Sequence, residues 1–173
     1  MDFDDTPTEA AFRAEARAWL DAHATRREEG AGFGGYLSQA EDHVEACKRW
    51  QRTLYDGGWA GITWPKEYGG RGATPIEAAI FNQEQANYDV DAGAFMVAVG
   101  MVGPTLIAHG TDAQKERFLD PLLRGEEIWC QLFSEPGAGS DLANLSTRAV
   151  LDGDEFVVNG QKVWTSGAQH SDW

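Results

Sequence analysis

Leu122-Leu123-Arg124-Gly125-Glu126-Glu127-Ile128-Trp129-Cys130-Gln131-Leu132-Phe133 decides the fold class, because the hydrophobic period changes inside it. Up to Leu123 apolar residues recur at helical spacing. Gly125 supplies the stop, since a helix commonly ends on a glycine in the left-handed region. From Ile128 the chain becomes a short aromatic and β-branched run, which reads as a strand.

Upstream of that switch everything reads as helix. Thr6-Pro7-Thr8-Glu9, Thr74-Pro75-Ile76-Glu77 and Thr111-Asp112-Ala113-Gln114 each place a capping Thr three residues before a Glu or Gln that can return the hydrogen bond. In the first two, Pro sits at the first helical position, where its missing N–H costs nothing. These starts predict helices from Pro7 to about His23, with Phe12, Ala16, Trp19 and Leu20 inward, from Pro75 to about Tyr88, and from Asp112 to about Leu123. Another helix is expected from about Gln39 to Tyr55, with Val44, Cys47, Trp50 and Leu54 on one face and Gly57-Gly58 ending it. The uncharged stretch Ala92–Ala108 is expected as a further helix. Interrupted by Gly93, Gly100, Gly103 and Pro104, it reads as buried in protein and not as a membrane span. Gly30 to Gly35 reads as a mobile loop.

Downstream, Asn159-Gly160 between Phe156-Val157-Val158 and Gln161-Lys162-Val163-Trp164 is a hairpin signal, because both turn residues need positive φ. Asp152-Gly153 is a similar turn. A three-stranded meander over roughly Leu145–Thr165 follows. The expected fold is α+β: an all-α domain over residues 1–125, then the first strands of an antiparallel, barrel-like β domain over 126–173. So small a sheet keeps unpaired edges, and the sequence reads as truncated.

Composition excludes several functions. The 14 basic and 28 acidic side chains of the 173-residue chain leave a formal charge of −14, a field that repels nucleic acid and anionic headgroups. A phosphorylated ligand must therefore be held by local backbone N–H groups and a few arginines. Cys47 and Cys130 form no C-x-x-C pair, and the acidic start Met1-Asp2-Phe3-Asp4-Asp5 is unlike a secretory leader, so a reduced, cytoplasmic protein is expected. His23, His43, His109 and His170 are scattered without H-E-x-x-H or an evident cysteine partner, and no metal site is expected. No Gly-x-Ser-x-Gly elbow is present to support a hydrolase triad.

Two stretches can carry chemistry. Ser134-Glu135-Pro136-Gly137-Ala138-Gly139-Ser140-Asp141 follows a strand, and its spaced glycines let backbone approach an anion such as a pyrophosphate. A bare G-x-G is more often a simple turn, and with no helix after it the loop is neither a Walker nor a Rossmann fingerprint. Val163-Trp164-Thr165-Ser166-Gly167 sets an indole beside two hydroxyls, able to cover a flat ring and donate to a ring nitrogen, although such a tryptophan more often simply ends a strand in the core.

Taken in order, Gly58-Trp59-Ala60-Gly61-Ile62, Pro65-Lys66-Glu67-Tyr68-Gly69-Gly70, His109-Gly110-Thr111, Gln114-Lys115-Glu116-Arg117-Phe118, Pro121-Leu122-Leu123-Arg124-Gly125-Glu126, Ser134 to Asp141, and Asn159-Gly160-Gln161-Lys162-Val163-Trp164 resemble the acyl-CoA dehydrogenase family. The resemblance is close from Gly58 onward and loose over the first two helices. It implies FAD as cofactor, with Gln131, Leu132 and Ser134 facing the isoalloxazine, Gly139 and Ser140 at the pyrophosphate, and Trp164 and Ser166 beside the ring. Ser166 stands where the family commonly has Thr, and Gln131 where it is often aromatic.

The resemblance further implies an acyl-CoA substrate, α,β-dehydrogenation, an acceptor such as an electron-transfer flavoprotein, and a homo-oligomer at full length. Its catalytic base belongs to a C-terminal domain that this sequence does not include. No catalytic residue is assigned here, Glu135 included, and the 173 residues alone are expected to be inactive. Acyl-CoA oxidases and nitroalkane oxidases share the same segments, and a catalytically dead remnant that binds a partner is a third alternative.

Overall fold

The structure is a computed structural model, and it describes residues 4–28 and 42–173. Five α-helices come first: α1 (Pro7–His23), α2 (His43–Asp56), α3 (Pro75–Gln85), α4 (Gly103–His109) and α5 (Asp112–Arg124). One antiparallel pair follows, β1 (Arg148–Asp152) and β2 (Glu155–Asn159). An α+β chain is what results. No helix among the described residues is long and apolar enough to cross a membrane. The expected start of α2 at Gln39 and the Gly30–Gly35 loop lie outside the described residues.

The three Thr caps form as their sequences require. Thr6, Thr74 and Thr111 each accept the backbone N–H three residues on, and Glu9, Glu77 and Gln114 each accept the cap residue's own N–H. Each box satisfies two amide donors that a helix start otherwise leaves without partners. Gly125 closes α5 at φ +79°.

The helices bury one core, with Leu20, Cys47, Tyr88, Phe95, Leu122 and Leu123 fully enclosed. At its centre Trp59 stacks on Phe81 at 4.8 Å, while Phe12 meets Trp59 edge-on at 5.7 Å. Each such side chain contributes about 1.5–3 kcal/mol on burial. A polar clasp joins α1 to α3: the buried Glu84 carboxylate accepts from Arg17 at 2.8 and 2.9 Å and from Arg13 at 3.1 Å. The Arg17 hydrogen bonds foremost, with those of Arg13, hold the Glu84 carboxyl below the usual glutamate range.

Four expectations need correction. Helix α3 stops at Gln85 and does not reach Tyr88, because Tyr88 leaves to pair with Arg26 and its hydroxyl donates to Asp21 at 2.8 Å. The Ala92–Ala108 helix is broken into a 3₁₀ turn at Gly93–Phe95, a π-helical turn at Ala98–Val102, and α4. Pro104 explains the π register. Gly103 N–H bonds back to the Ala98 carbonyl, and the next residue, Pro104, has no N–H to serve the Val99 carbonyl. The Trp64 indole N–H serves it instead, at 3.1 Å. That indole fits only because residue 103 is glycine: a Cβ there would lie 1.9 Å from Trp64 Cζ2.

The other two corrections concern the β part. Ile128–Phe133 is not a ladder strand; Ile128 and Cys130 exchange backbone hydrogen bonds with Asp172 and Trp173. The three-stranded meander is a two-stranded hairpin. Gly153, at φ +63°, opens the two-residue connection between Asp152 and Glu155, a turn matched to strand twist. Asn159-Gly160 makes no second hairpin: neither residue takes the positive φ that such a turn needs, and Gly160 instead lies against Thr147, where a Cβ would come within 2.1 Å of Thr147 Oγ1. Every residue of β1 and β2 is exposed, including Val150, Leu151, Phe156, Val157 and Val158.

Candidate functional site

The two stretches singled out in the sequence meet. Val163 N–H donates to Ser134 O at 3.0 Å, and Lys162 Nζ donates to Phe133 O at 3.0 Å. The segment around Trp164 therefore runs beside the segment that opens the Gly-rich loop. Glu135 is the clamp between them. Its buried carboxylate accepts from Lys162 Nζ at 2.8 Å, Ser146 N–H at 2.7 Å, Ser146 Oγ at 2.9 Å and Thr147 N–H at 3.0 Å.

That environment settles what Glu135 can do chemically. The Lys162 ammonium first, then Thr147 and Ser146, hold its carboxyl far below the usual carboxylate range. So weak a base, with its oxygens committed to four donors, serves to fix the loop and does not take up protons. Glu135 and Ala138 also exchange backbone N–H···O bonds of 2.8 and 3.0 Å, which pins the turn's base. Their two N–H groups are consumed there, so a ligand can meet only the exposed rim of the loop.

The rim residues lie as follows. Gln131, Leu132, Gly139, Ser140, Trp164 and Ser166 are exposed, and Ser134 is half-buried between the paired segments. A Cβ at Gly137 or Gly139 would meet nothing within 4 Å, so backbone there is approachable from outside. Trp164 stands out in two ways: its indole is 90 % exposed, and at φ +58° it is the one non-glycine residue in the left-handed region among the described residues. Both cost free energy, on the order of 1–3 kcal/mol for the backbone conformation alone. Neither is what a core tryptophan at a strand end would show.

A second feature lies in the helical part, a cavity of about 540 Å³ between the Trp59–Trp64 loop, α3 and the segment following Val90. Leu54, Trp59, Phe81, Phe95 and Val99 make it apolar, with Gln85 and Asp91 as polar points on its wall. The glycines of the broken helix divide the labour here. Gly103 exists for the Trp64 contact, whereas Gly100 lines the cavity and has nothing within 4 Å of where a Cβ would be.

Comparison with known proteins shows the family of the chain that carries both features. Residues 6–126 match the family model "Acyl-CoA dehydrogenase, N-terminal domain", and residues 130–173 match "Acyl-CoA dehydrogenase, middle domain". The chain belongs to the acyl-CoA dehydrogenase family. Acyl-CoA dehydrogenase IpdE1 of Mycobacterium tuberculosis is 43% identical over 163 residues, a match covering 94% of this chain and 42% of that protein. Acyl-CoA dehydrogenase FadE26 of the same organism is 39% identical over 170 residues, covering 97% of this chain and 41% of the relative.

Among solved acyl-CoA dehydrogenase structures, the "Tcur3481-Tcur3483 steroid ACAD" superposes with a TM-score of 0.77 at 38% identity, covering 99% of this chain and 43% of that one. The ChsE4-ChsE5 complex from Mycobacterium tuberculosis superposes with a TM-score of 0.74 at 36% identity, covering 99% and 42%. The chain thus spans about two fifths of the length of these relatives.

The sequence also hid one group of side chains. The sequence shows no evident cysteine partner for His43, but Cys47, one turn along α2, places Sγ 3.8 Å from its Nε2, and Asp91 completes the group. The i, i+4 spacing was the available signal; Asp91, distant in sequence, gave none.

Proposed function

We propose that this chain forms the flavin-facing and acyl-facing portion of an FAD-dependent enzyme that dehydrogenates an acyl-CoA thioester between its α and β carbons. The observation that carries it is the pairing of the Ser134–Asp141 loop with the Trp164 segment, which sets approachable loop backbone beside an exposed indole carried on a strained backbone. In this reading Gln131, Leu132 and Ser134 line the isoalloxazine, Gly139 and Ser140 receive the pyrophosphate, and Trp164 and Ser166 flank the ring. The residues present suit the cofactor: glycines leave the loop rim open, and Lys162 offsets the Glu135 carboxylate beneath it. When bound, FAD accepts the β-hydrogen as a hydride equivalent.

The chain's own residues orient and enclose. Loop 134–141 is held by Glu135, the indole of Trp164 covers a flat ring, and the 540 Å³ cavity takes the acyl group. The base that removes the α-proton lies outside these residues, in the remainder of a longer enzyme or in a companion chain. The exposed faces of β1 and β2 are covered by that same protein. Residues 1–125 form the helical domain and 126–173 the flavin-facing part, in a reducing, cytoplasmic setting consistent with two free cysteines.

The two solved relatives described above each carry a paired name, ChsE4-ChsE5 and Tcur3481-Tcur3483. We infer a similar pairing here, with a homo-oligomer as the simpler form and an electron-transfer flavoprotein as acceptor. The steroid for which one of these relatives is named suggests a bulky, ring-bearing acyl group, which an open cavity wall at Gly100 would admit.

The test is to mix the purified chain with excess FAD, measure bound flavin, and add acyl-CoAs without oxygen. Weak binding that falls at least tenfold in Trp164→Ala and Ser140→Asp, with no bleaching, is expected from losing a stacking face and adding charge at the pyrophosphate. Binding indifferent to both substitutions would contradict the site. Bleaching by an acyl-CoA would place a base within these residues and overturn the division of labour.

A further inference from the structure

The flavin-facing loops leave unused a group of three ligand-forming side chains where α2 meets the segment after α3. His43 and Cys47 stand at i and i+4 on α2 and so share a face. Asp91 comes from the turn before Gly93, whose N–H donates to Asp91 Oδ1 at 3.0 Å and holds the carboxylate in place. His43 Nδ1 lies 2.6 Å from Asp91 Oδ2, Cys47 Sγ lies 3.8 Å from His43 Nε2, and one ligand atom from each residue falls within 4.8 Å of the others. His43 and Cys47 are buried; Asp91 is half-buried and reaches the cavity wall.

A buried imidazole facing a carboxylate satisfies both groups by itself, and that contact needs no third member. The thiol goes beyond it, because a cysteine that merely fills space does not have to sit within reach of both a ring nitrogen and a carboxylate. We propose that His43, Cys47 and Asp91 form a binding site for one borderline divalent transition-metal ion, best fitted by zinc, that ties α2 to the cavity wall.

The donor set is one nitrogen, one sulfur and one oxygen, the combination zinc takes in tetrahedral sites. Bonds of about 2.0–2.3 Å make tetrahedral ligand separations of about 3.3–3.6 Å. With His43 Nδ1 as the ligand nitrogen, its 4.0 Å separation from Cys47 Sγ closes by about 0.4 Å and its 2.6 Å contact with Asp91 opens by about 0.7 Å as the ion replaces the hydrogen-bonded proton. Binding also releases the Cys47 proton. Burial pushes that thiol up to about 11, and the ion's charge reverses the effect. Thiolate and carboxylate together neutralise the ion, and the fourth position opens toward the cavity through Asp91, where a water completes the shell.

Cobalt titration of the full chain reads this site directly, because a thiolate-bound, four-coordinate cobalt ion shows a near-ultraviolet charge-transfer band and strong visible bands. We expect one equivalent to bind and one equivalent of zinc to erase both. Cys47→Ser, nearly isosteric, removes the charge-transfer band. Asp91→Asn, which can keep the contact to His43, weakens zinc at least about tenfold, the scale for disturbing a metal's surroundings. Circular dichroism checks that both variants keep their helices. Absence of the band in the wild-type chain overturns the proposal, as does zinc binding that both variants retain, which would assign it to exposed histidines such as His109.

Discussion

The helical part and the β hairpin are both apolar, but they treat that surface in opposite ways. Leu20, Leu122 and Phe81 are enclosed by their own chain; Leu151, Phe156 and Val158 are more than half exposed. Hydrophobic residues stabilise only the contact they actually make. The helices therefore carry the stability of this chain, and the hairpin with the loops beside it presents surface to something else. The cofactor site proposed on such surface can be open, strained at Trp164, and still rest on a firm base, because the Glu135 clamp and the helical core do not depend on it.

The strongest way to break this contrast is to cut into the core. Phe81→Ala removes the ring stacked on Trp59 and should destabilise by about 3–5 kcal/mol in urea unfolding. Val157→Ala in the hairpin should fall within about 0.5 kcal/mol, as surface changes do. Equal effects would mean that the hairpin is packed after all.

Next in size is the glycine that admits Trp64. Gly103→Ala drives a methyl into the indole and should cost about 3 kcal/mol or somewhat less, the overpacking range. Gly100→Ala meets no atom and should be neutral or stabilise by about 0.5 kcal/mol. Thermal midpoints of the pair separate packing from open volume.

The clasp between α1 and α3 follows. Glu84→Gln should cost about 2 kcal/mol near neutral pH, on the scale of hydrogen bonds to charged groups. The folded carboxyl titrates below its ordinary value of 4.5, so its contribution is complete above that pH and is lost as pH falls through the lower folded value. Unfolding followed from pH 7 to pH 3 should show a shallower acid slope in the variant than in the wild type.

Much of the helical part could be read from sequence because its signals are local. A Thr cap, a Pro at the first position and a Glu three residues on determine a helix start without reference to anything distant. The break in the Ala92–Ala108 stretch could not be read, since the π turn depends on Trp64 replacing the donor that Pro104 lacks. Asn159-Gly160 misled for a similar reason, a close contact with Thr147 prevailing over turn preference. The residues proposed to face the flavin came from the family resemblance alone, and nothing local announced that Val163 would bond to Ser134, that Glu135 would bind the loop, or that Trp164 would turn outward at positive φ. The His43–Asp91 contact joins positions far apart in sequence and was equally invisible.

Amide hydrogen exchange on the intact chain tests the central contrast most directly, because it reads each segment's opening free energy in one experiment. The account predicts that Leu54, Leu122 and Leu123 exchange only through global unfolding, while Val150 and Val157 exchange by local opening, orders of magnitude faster. Protection of the hairpin amides equal to that of Leu122 would contradict it, and would show that the surface assigned to ligand and partner is already part of the core.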